Sequence, residues 1–193
     1  MNFPSTISNE EIIRLPKIKF EGRIVVVERQ KEVERACAEI SRHCMVGFDT
    51  ETRPSFVQGK TYKVSLLQLS ARDCCYLFRL NKTGLKRPLL DILASKTIKK
   101  VGLDTKGDIR SLKALRRFNP HGFIDLQSIV SKYGICELSL RKLAAIVVGG
   151  RLSKAQRLSN WEAAELTESQ KVYSATDAWV ALEIYRRIDR IEG

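Results

Sequence analysis

A chain of 193 residues fits one domain with a proper core, and 44% hydrophobic with 29% charged residues excludes a disordered polymer. The 34 Lys+Arg against 22 Asp+Glu give a formal charge of +12, a field that attracts polyanions and puts nucleic acid first among partners. Five cysteines without a CxxC pair argue against a zinc site and a disulfide framework.

Residues 1–23 read as an irregular lead-in holding one amphipathic turn, ahead of a domain spanning 24–193. The lead-in has acids where a signal peptide needs a basic flank and an apolar run. The longest wholly apolar stretch, Leu143–Val148, is too short to span a bilayer. An intracellular, non-secreted protein with no membrane association is expected.

Ile24–Val27 is a β-branched run that predicts a strand, followed by an amphipathic helix over Gln30–His43. Met45–Glu51 reads as a buried strand ending in carboxylates. Lys63–Leu69 and Cys74–Phe78 form a strand pair joined by a turn at Ser70–Asp73. Next come a helix at Leu85–Ala94, a strand at Ile98–Gly102, a helix at Lys106–Arg116 and a strand at Gly122–Ile124. The C-terminal third reads as helical, over Leu126–Tyr133, Ser139–Val147 and Thr167–Ile191, with Asp125 as a cap. This order predicts an α/β fold with a mixed sheet and helices on both faces.

Three segments carry acids in a chemically suggestive pattern. In Gly47-Phe48-Asp49-Thr50-Glu51, positions i and i+2 of a strand share a face, so Asp49 and Glu51 project side by side. Two adjacent carboxylates repel each other unless a cation lies between them, and hard divalent ions take such oxygen ligands. In Tyr173-Ser174-Ala175-Thr176-Asp177, the Tyr and Asp are four apart on one face of an apolar helix. The third segment runs from Lys99 to Asp108, where spacing alone permits Asp104 or Asp108. Asp104 falls in a turn, where a carboxylate caps local backbone amides, and Asp108 in the first helical turn.

The order Asp-x-Glu, Asp, Tyr-x-x-x-Asp resembles the DEDDy class of 3′→5′ exonucleases on a ribonuclease-H-like fold. Lys99-Lys100-Val101-Gly102 resembles Werner-type exonuclease domains in particular, with ribonuclease D a further relative. Val64–Leu69, Ser159-Asn160-Trp161, Gln170 and Tyr173–Trp179 extend the likeness. It implies that Asp49, Glu51, Asp108 and Asp177 hold two Mg²⁺ or Mn²⁺ ions. It also selects Asp108 over Asp104 and has Tyr173 orient the attacking water. Nucleoside 5′-monophosphates would leave a single-stranded or recessed 3′ end, with DNA favoured over RNA. A binding protein on the same fold without catalysis is the alternative; it would normally show a broken acid set.

Basic groups at Lys82/Lys86/Arg87, Lys96/Lys99/Lys100/Lys106 and Arg151/Lys154/Arg157 suit sequence-independent phosphate contact. Arg151, Lys154 and Arg157 lead that set, with Gln68 in the second motif strand. Phe56 and Tyr62 lie near the first acids, where an aromatic ring can stack on a base. His43, His121, Trp161 and Trp179 read as structural.

Overall fold

Runs of β-branched and aromatic residues place six strands in one sheet, in the order β1-β4-β3-β2-β5-β6. These are β1 (Arg23–Val27), β2 (Met45–Thr52), β3 (Val64–Ser70), β4 (Cys74–Arg79), β5 (Lys99–Gly102) and β6 (Phe123–Asp125). The computed structural model describes the backbone of residues 3–192 and the side chains of residues 3–189. Met1, Asn2 and Gly193, at the ends of the expected segments 1–23 and 24–193, lie outside the described residues.

The central strands β2, β3 and β4 are antiparallel, whereas β1 joins β4 and β5 joins β2 in parallel. The sheet is therefore mixed, as the element order predicts. Helices cover both faces. On one side α2 (Gln30–Ile40), α4 (Arg87–Ala94) and Leu112 of α5 (Thr105–Leu115) pack on Phe48, Leu67, Leu69 and Phe78. On the other side lies α8 (Glu168–Glu192), whose Ala175, Ala178, Ala181 and Leu182 are buried. Helix α8 starts at a capping box: Gln170 N–H donates to Thr167 Oγ1, and Thr167 N–H donates to Gln170 Oε1.

The small elements differ from expectation in extent. Short helices appear at α1 (Asn9–Arg14), α3 (Leu80–Thr83), α6 (Leu126–Ile129) and α7 (Leu140–Leu143). The expected helix over Leu126–Tyr133 changes to a 3₁₀ turn at Val130–Tyr133. The one over Ser139–Val147 widens into a π turn at Ala144–Val148, ended by Gly149 at φ 73°. Helix α2 stops at Ile40, short of His43.

The lead-in packs onto the domain. Arg151 N–H donates to the Pro16 carbonyl at 2.9 Å, and Ile18 N–H donates to the Arg151 carbonyl at 3.1 Å. Phe20 N–H donates to Thr176 Oγ1 of α8 at 3.0 Å, and the Phe20 ring lies 6.2 Å from that of Trp179. No helix among the described residues is long and apolar enough to cross a membrane.

Candidate active site

Strand alternation puts Gly47, Asp49 and Glu51 on the face of β2 that meets α8. Gly47 makes the meeting close: a Cβ there would lie 1.9 Å from the Ala178 carbonyl oxygen. Only hydrogen fits. With α8 this near, Asp177 reaches the two strand acids, and oxygens of Asp49, Glu51 and Asp177 all lie within 4.8 Å of one another.

Tyr173, one turn earlier on α8, stands beside Asp177, and their contact favours the charged carboxylate. Behind its ring sits the fully buried Trp161, centroid to centroid 6.1 Å. Trp161 is placed by the loop before α8, which Gln170 ties down: its Nε2 donates to Ser159 Oγ at 2.8 Å and to the Asn160 carbonyl at 3.1 Å.

Asp108 comes from the other side. Thr50 points away from Asp49 and Glu51 by the same alternation, and its hydroxyl donates to Asp108 Oδ1 at 2.6 Å. Asp108 therefore flanks the three-acid cluster around the end of β2, close enough that its charge acts on Asp49 and Glu51.

Asp104 behaves otherwise than expected. It sits in left-handed backbone at φ 52°, and its side chain caps no amide. The amides of Asp104 and Thr105 donate instead to the Asp125 carboxylate, at 3.1 and 3.0 Å. Asp125 also accepts from Gln127 N–H at 3.0 Å, so one carboxylate caps α5 and α6 together. Asp125→Ala is expected to cost about 2 kcal/mol, the upper range for one cap, because two helix starts lose their acceptor. Chemical denaturation of the variant checks this. A loss under about 0.5 kcal/mol would mean water replaces the carboxylate at both ends.

The electrostatics are those of an acid cluster without counter-charge. Among the described residues, no ion pair involves Asp49, Glu51, Asp108 or Asp177. Burial, then the charge of Asp177 and Asp108, pushes the Glu51 carboxyl up to about 8. Burial raises Asp177 to about 7 against the opposing Tyr173 hydrogen bond, and Asp108 to about 6 against that of Thr50. Asp49 is raised well above the carboxylate range by burial and then by Asp177, Glu51 and Asp108. The Tyr173 hydroxyl is also pushed up, by burial and then by Asp177 and Glu51, and so keeps its proton at neutral pH. An all-oxygen donor set of this kind, with no nitrogen or sulfur ligand in it, fits a hard divalent cation.

The remaining expected contacts divide. Gln68 lies directly across the sheet from Asp49 and is fully buried, so it has no surface for a nucleic-acid strand to touch. Both of its amide atoms lack a partner. Phe56 is 82% exposed, while Tyr62 is covered by Arg53 and Lys60 at 4.8 and 5.1 Å from its ring centre. Arg151 Nε donates to the Leu15 carbonyl at 3.0 Å, and Lys154 and Arg157 are exposed on the segment that follows. Lys100 leaves the phosphate set: it is fully buried, its Nζ donates to the Ser95 and Ile98 carbonyls, and burial lowers it to about 8. Lys82 is likewise engaged, with Glu28 and the Ala164 carbonyl. Asp125 caps α6 as the sequence predicts, whereas its hold on the start of α5 and the Thr50 contact to Asp108 have no local signal. Thr50 was visible only as the middle of Asp-Thr-Glu, and nothing local linked Asp125 to Asp104.

Comparison with known proteins agrees with this geometry. Residues 24–191 match the 3′-5′ exonuclease family. The mouse bifunctional 3′-5′ exonuclease/ATP-dependent helicase WRN is 33% identical over 189 residues, covering 92% of this chain and 13% of the mouse protein. Mouse exonuclease 3′-5′ domain-containing protein 2 is 32% identical, covering 90% of this chain and 30% of its own length. The chain thus spans under a third of these curated relatives. The crystal structure of the Aedes aegypti Nibbler EXO domain superposes with a TM-score of 0.78 at 22% identity, covering 97% of this chain and 92% of that one. The fold is shared with that ribonuclease-H-like domain, and by its family match the chain is a member of the 3′-5′ exonucleases.

Proposed function

We propose that this chain removes nucleotides singly from a 3′ end of nucleic acid, DNA by preference and RNA as the alternative, releasing nucleoside 5′-monophosphates. The observation that carries the reading is the convergence of Asp49, Glu51 and Asp177 within 4.8 Å, with Tyr173 beside them and Asp108 on the flank. In this reading Asp49, Glu51 and Asp177 would hold one Mg²⁺ or Mn²⁺, and Asp108 would help to hold a second. Bound there, the ions supply Lewis-acid charge that makes water nucleophilic and stabilises the leaving 3′-oxygen.

The protein's own groups do the rest. Tyr173, protonated at neutral pH and braced by Trp161, orients the attacking water through its hydroxyl. Thr50 fixes the Asp108 carboxylate, and exposed Phe56 offers a ring face to a terminal base. Lys154 and Arg157 contact phosphates without reading sequence. All four acids and the Tyr are present in the sequence, which favours hydrolysis over binding alone.

End-labelled single-stranded DNA, recessed duplex and RNA, each with Mg²⁺, Mn²⁺ or EDTA, test the proposal. Single-nucleotide shortening from the 3′ end should require metal, and persistence in EDTA would sink the metal-dependent reading. Tyr173→Phe should lower kcat roughly tenfold to a hundredfold with little change in KM, since the lost contact belongs to the transition state. Unchanged kcat would return Tyr173 to a packing role.

A further inference from the structure

The family match starts at residue 24, yet residues before it line a cavity shared with Tyr173 and Asp177. A cavity of about 300 Å³ opens between Lys17–Lys19, the 153–156 segment and the face of α8 that carries Tyr173 and Asp177. We infer that this cavity is the subsite for the nucleotide unit immediately upstream of the scissile bond, built from the lead-in and residues 153–156. The inference rests on the exonuclease reading above and adds a second binding surface to it.

The walls are fixed by structure. Residues 16–18 are hydrogen-bonded to Arg151 in both directions, and Phe20 is hydrogen-bonded to Thr176 and buried against Trp179. Gly150 lets the two strands of chain touch, since a Cβ there would lie 2.4 Å from the Ile18 side chain. The lead-in is thereby held as one wall of a cavity that Tyr173 and Asp177 also line.

The lining chemistry matches a nucleotide with a phosphate attached. Lys17 and Lys19 are exposed ammonium groups, which suit phosphodiester oxygens as mobile point charges. Ile18 and Val172 give apolar surface for a base or sugar, and Ser153 and Gln156 give hydrogen-bonding groups; Glu168 also lines the cavity, its carboxylate paired with Lys171 Nζ at 2.7 Å. The volume lies at the small end of ligand sites, enough for one unpaired unit and far too small for a duplex. Charge decides which unit. The terminal nucleoside, on the 3′ side of the scissile phosphate, carries no further phosphate for the lysines to meet. The unit on the 5′ side does, so the basic wall fits the upstream strand. The same wall would hold a tail in single-stranded form.

The test uses the full chain and two kinds of substrate. Binding of a 5′-fluorescent single-stranded oligodeoxynucleotide is measured by anisotropy in EDTA, for the native protein and for Lys17→Ala/Lys19→Ala. Hydrolysis with Mn²⁺ is measured on that oligonucleotide and on thymidine 5′-(4-nitrophenyl) phosphate, an ester with no upstream nucleotide. The double variant should weaken oligonucleotide binding about tenfold at low salt. Its kcat/KM should fall at least about five times more on the oligonucleotide than on the ester. Lys17→Glu/Lys19→Glu should bind more weakly still, and Lys17→Arg/Lys19→Arg close to native. Equal loss on both substrates, or unchanged binding in the Ala and Glu variants, overturns the subsite. If the native protein cleaves neither substrate, the exonuclease reading fails, and the anisotropy series alone decides whether the cavity binds a strand.

Discussion

Asp177→Asn is expected to abolish hydrolysis and, at the same time, to raise the melting temperature of the metal-free protein. After burial, Asp177 is the charge that acts most on both Asp49 and Glu51, so its loss removes a ligand and also like-charge repulsion. Activity should fall by at least about 10³-fold, equivalent to about 4 kcal/mol of transition-state stabilisation. The stability effect has a pH signature. The folded-state values of Asp108, Asp177 and Glu51, at about 6, 7 and 8, lie above those of free carboxyls. Such groups favour the folded state while protonated, and that contribution is lost as pH rises through the folded values. The metal-free native protein should therefore melt progressively lower between pH 5 and 8. Asp177→Asn should flatten that fall and melt about 3–6 °C higher at pH 8, the shift that about 1–2 kcal/mol gives in a chain this size. Mn²⁺ should stabilise the native protein more at pH 8 than at pH 5.5, since binding competes with protons. Scanning calorimetry with and without EDTA checks both. A variant that melts lower than native at pH 8 would show that the acids are not in mutual repulsion.

Gly47→Ala is expected to damage activity and stability far more than one added methyl normally does. The new Cβ would lie 1.9 Å from the Ala178 carbonyl oxygen, so backbone has to move. Displacing α8 by about 1 Å carries Tyr173 and Asp177 away from Asp49, and misplacement on that scale costs about 10²-fold in rate. Overpacking adds about 1–3 kcal/mol of instability. Ala178→Gly should not rescue the variant, because the clash is with a backbone carbonyl and not with the alanine methyl. Rescue by that second change, or native turnover in Gly47→Ala, would show that the approach of α8 to β2 does not set the site.

The strands around the acids were readable because their pattern is local. Val64–Ser70 and Cys74–Arg79 are short apolar runs parted by a turn, and both lie within a residue or two of expectation. The three-acid cluster was readable for the same reason: i, i+2 on a strand and i, i+4 on a helix fix directions without tertiary knowledge. What local patterns do not encode is which distant side chain completes a contact. Asp125 capping α5 from twenty residues away, Thr50 holding Asp108 across 58, and Ile18 pairing with Arg151 are all of that kind. Gln68 and Lys100 show the limit from the other side. Each is polar in the sequence and fully buried in the fold, because strand position outweighed side-chain character.

The placement of Asp177 on α8, opposite strands laid down much earlier, also says when the three-acid cluster is complete. The antiparallel β2–β3–β4 segment is made of near-neighbours in the chain and can close early. Asp49 and Glu51 then stand alone, with tolerable repulsion and no third carboxylate to gather around them. Only when α8 has been synthesised and docked into the gap left at Gly47 do Tyr173 and Asp177 arrive. A chain still emerging from a ribosome therefore holds an incomplete acid cluster until this helix seats.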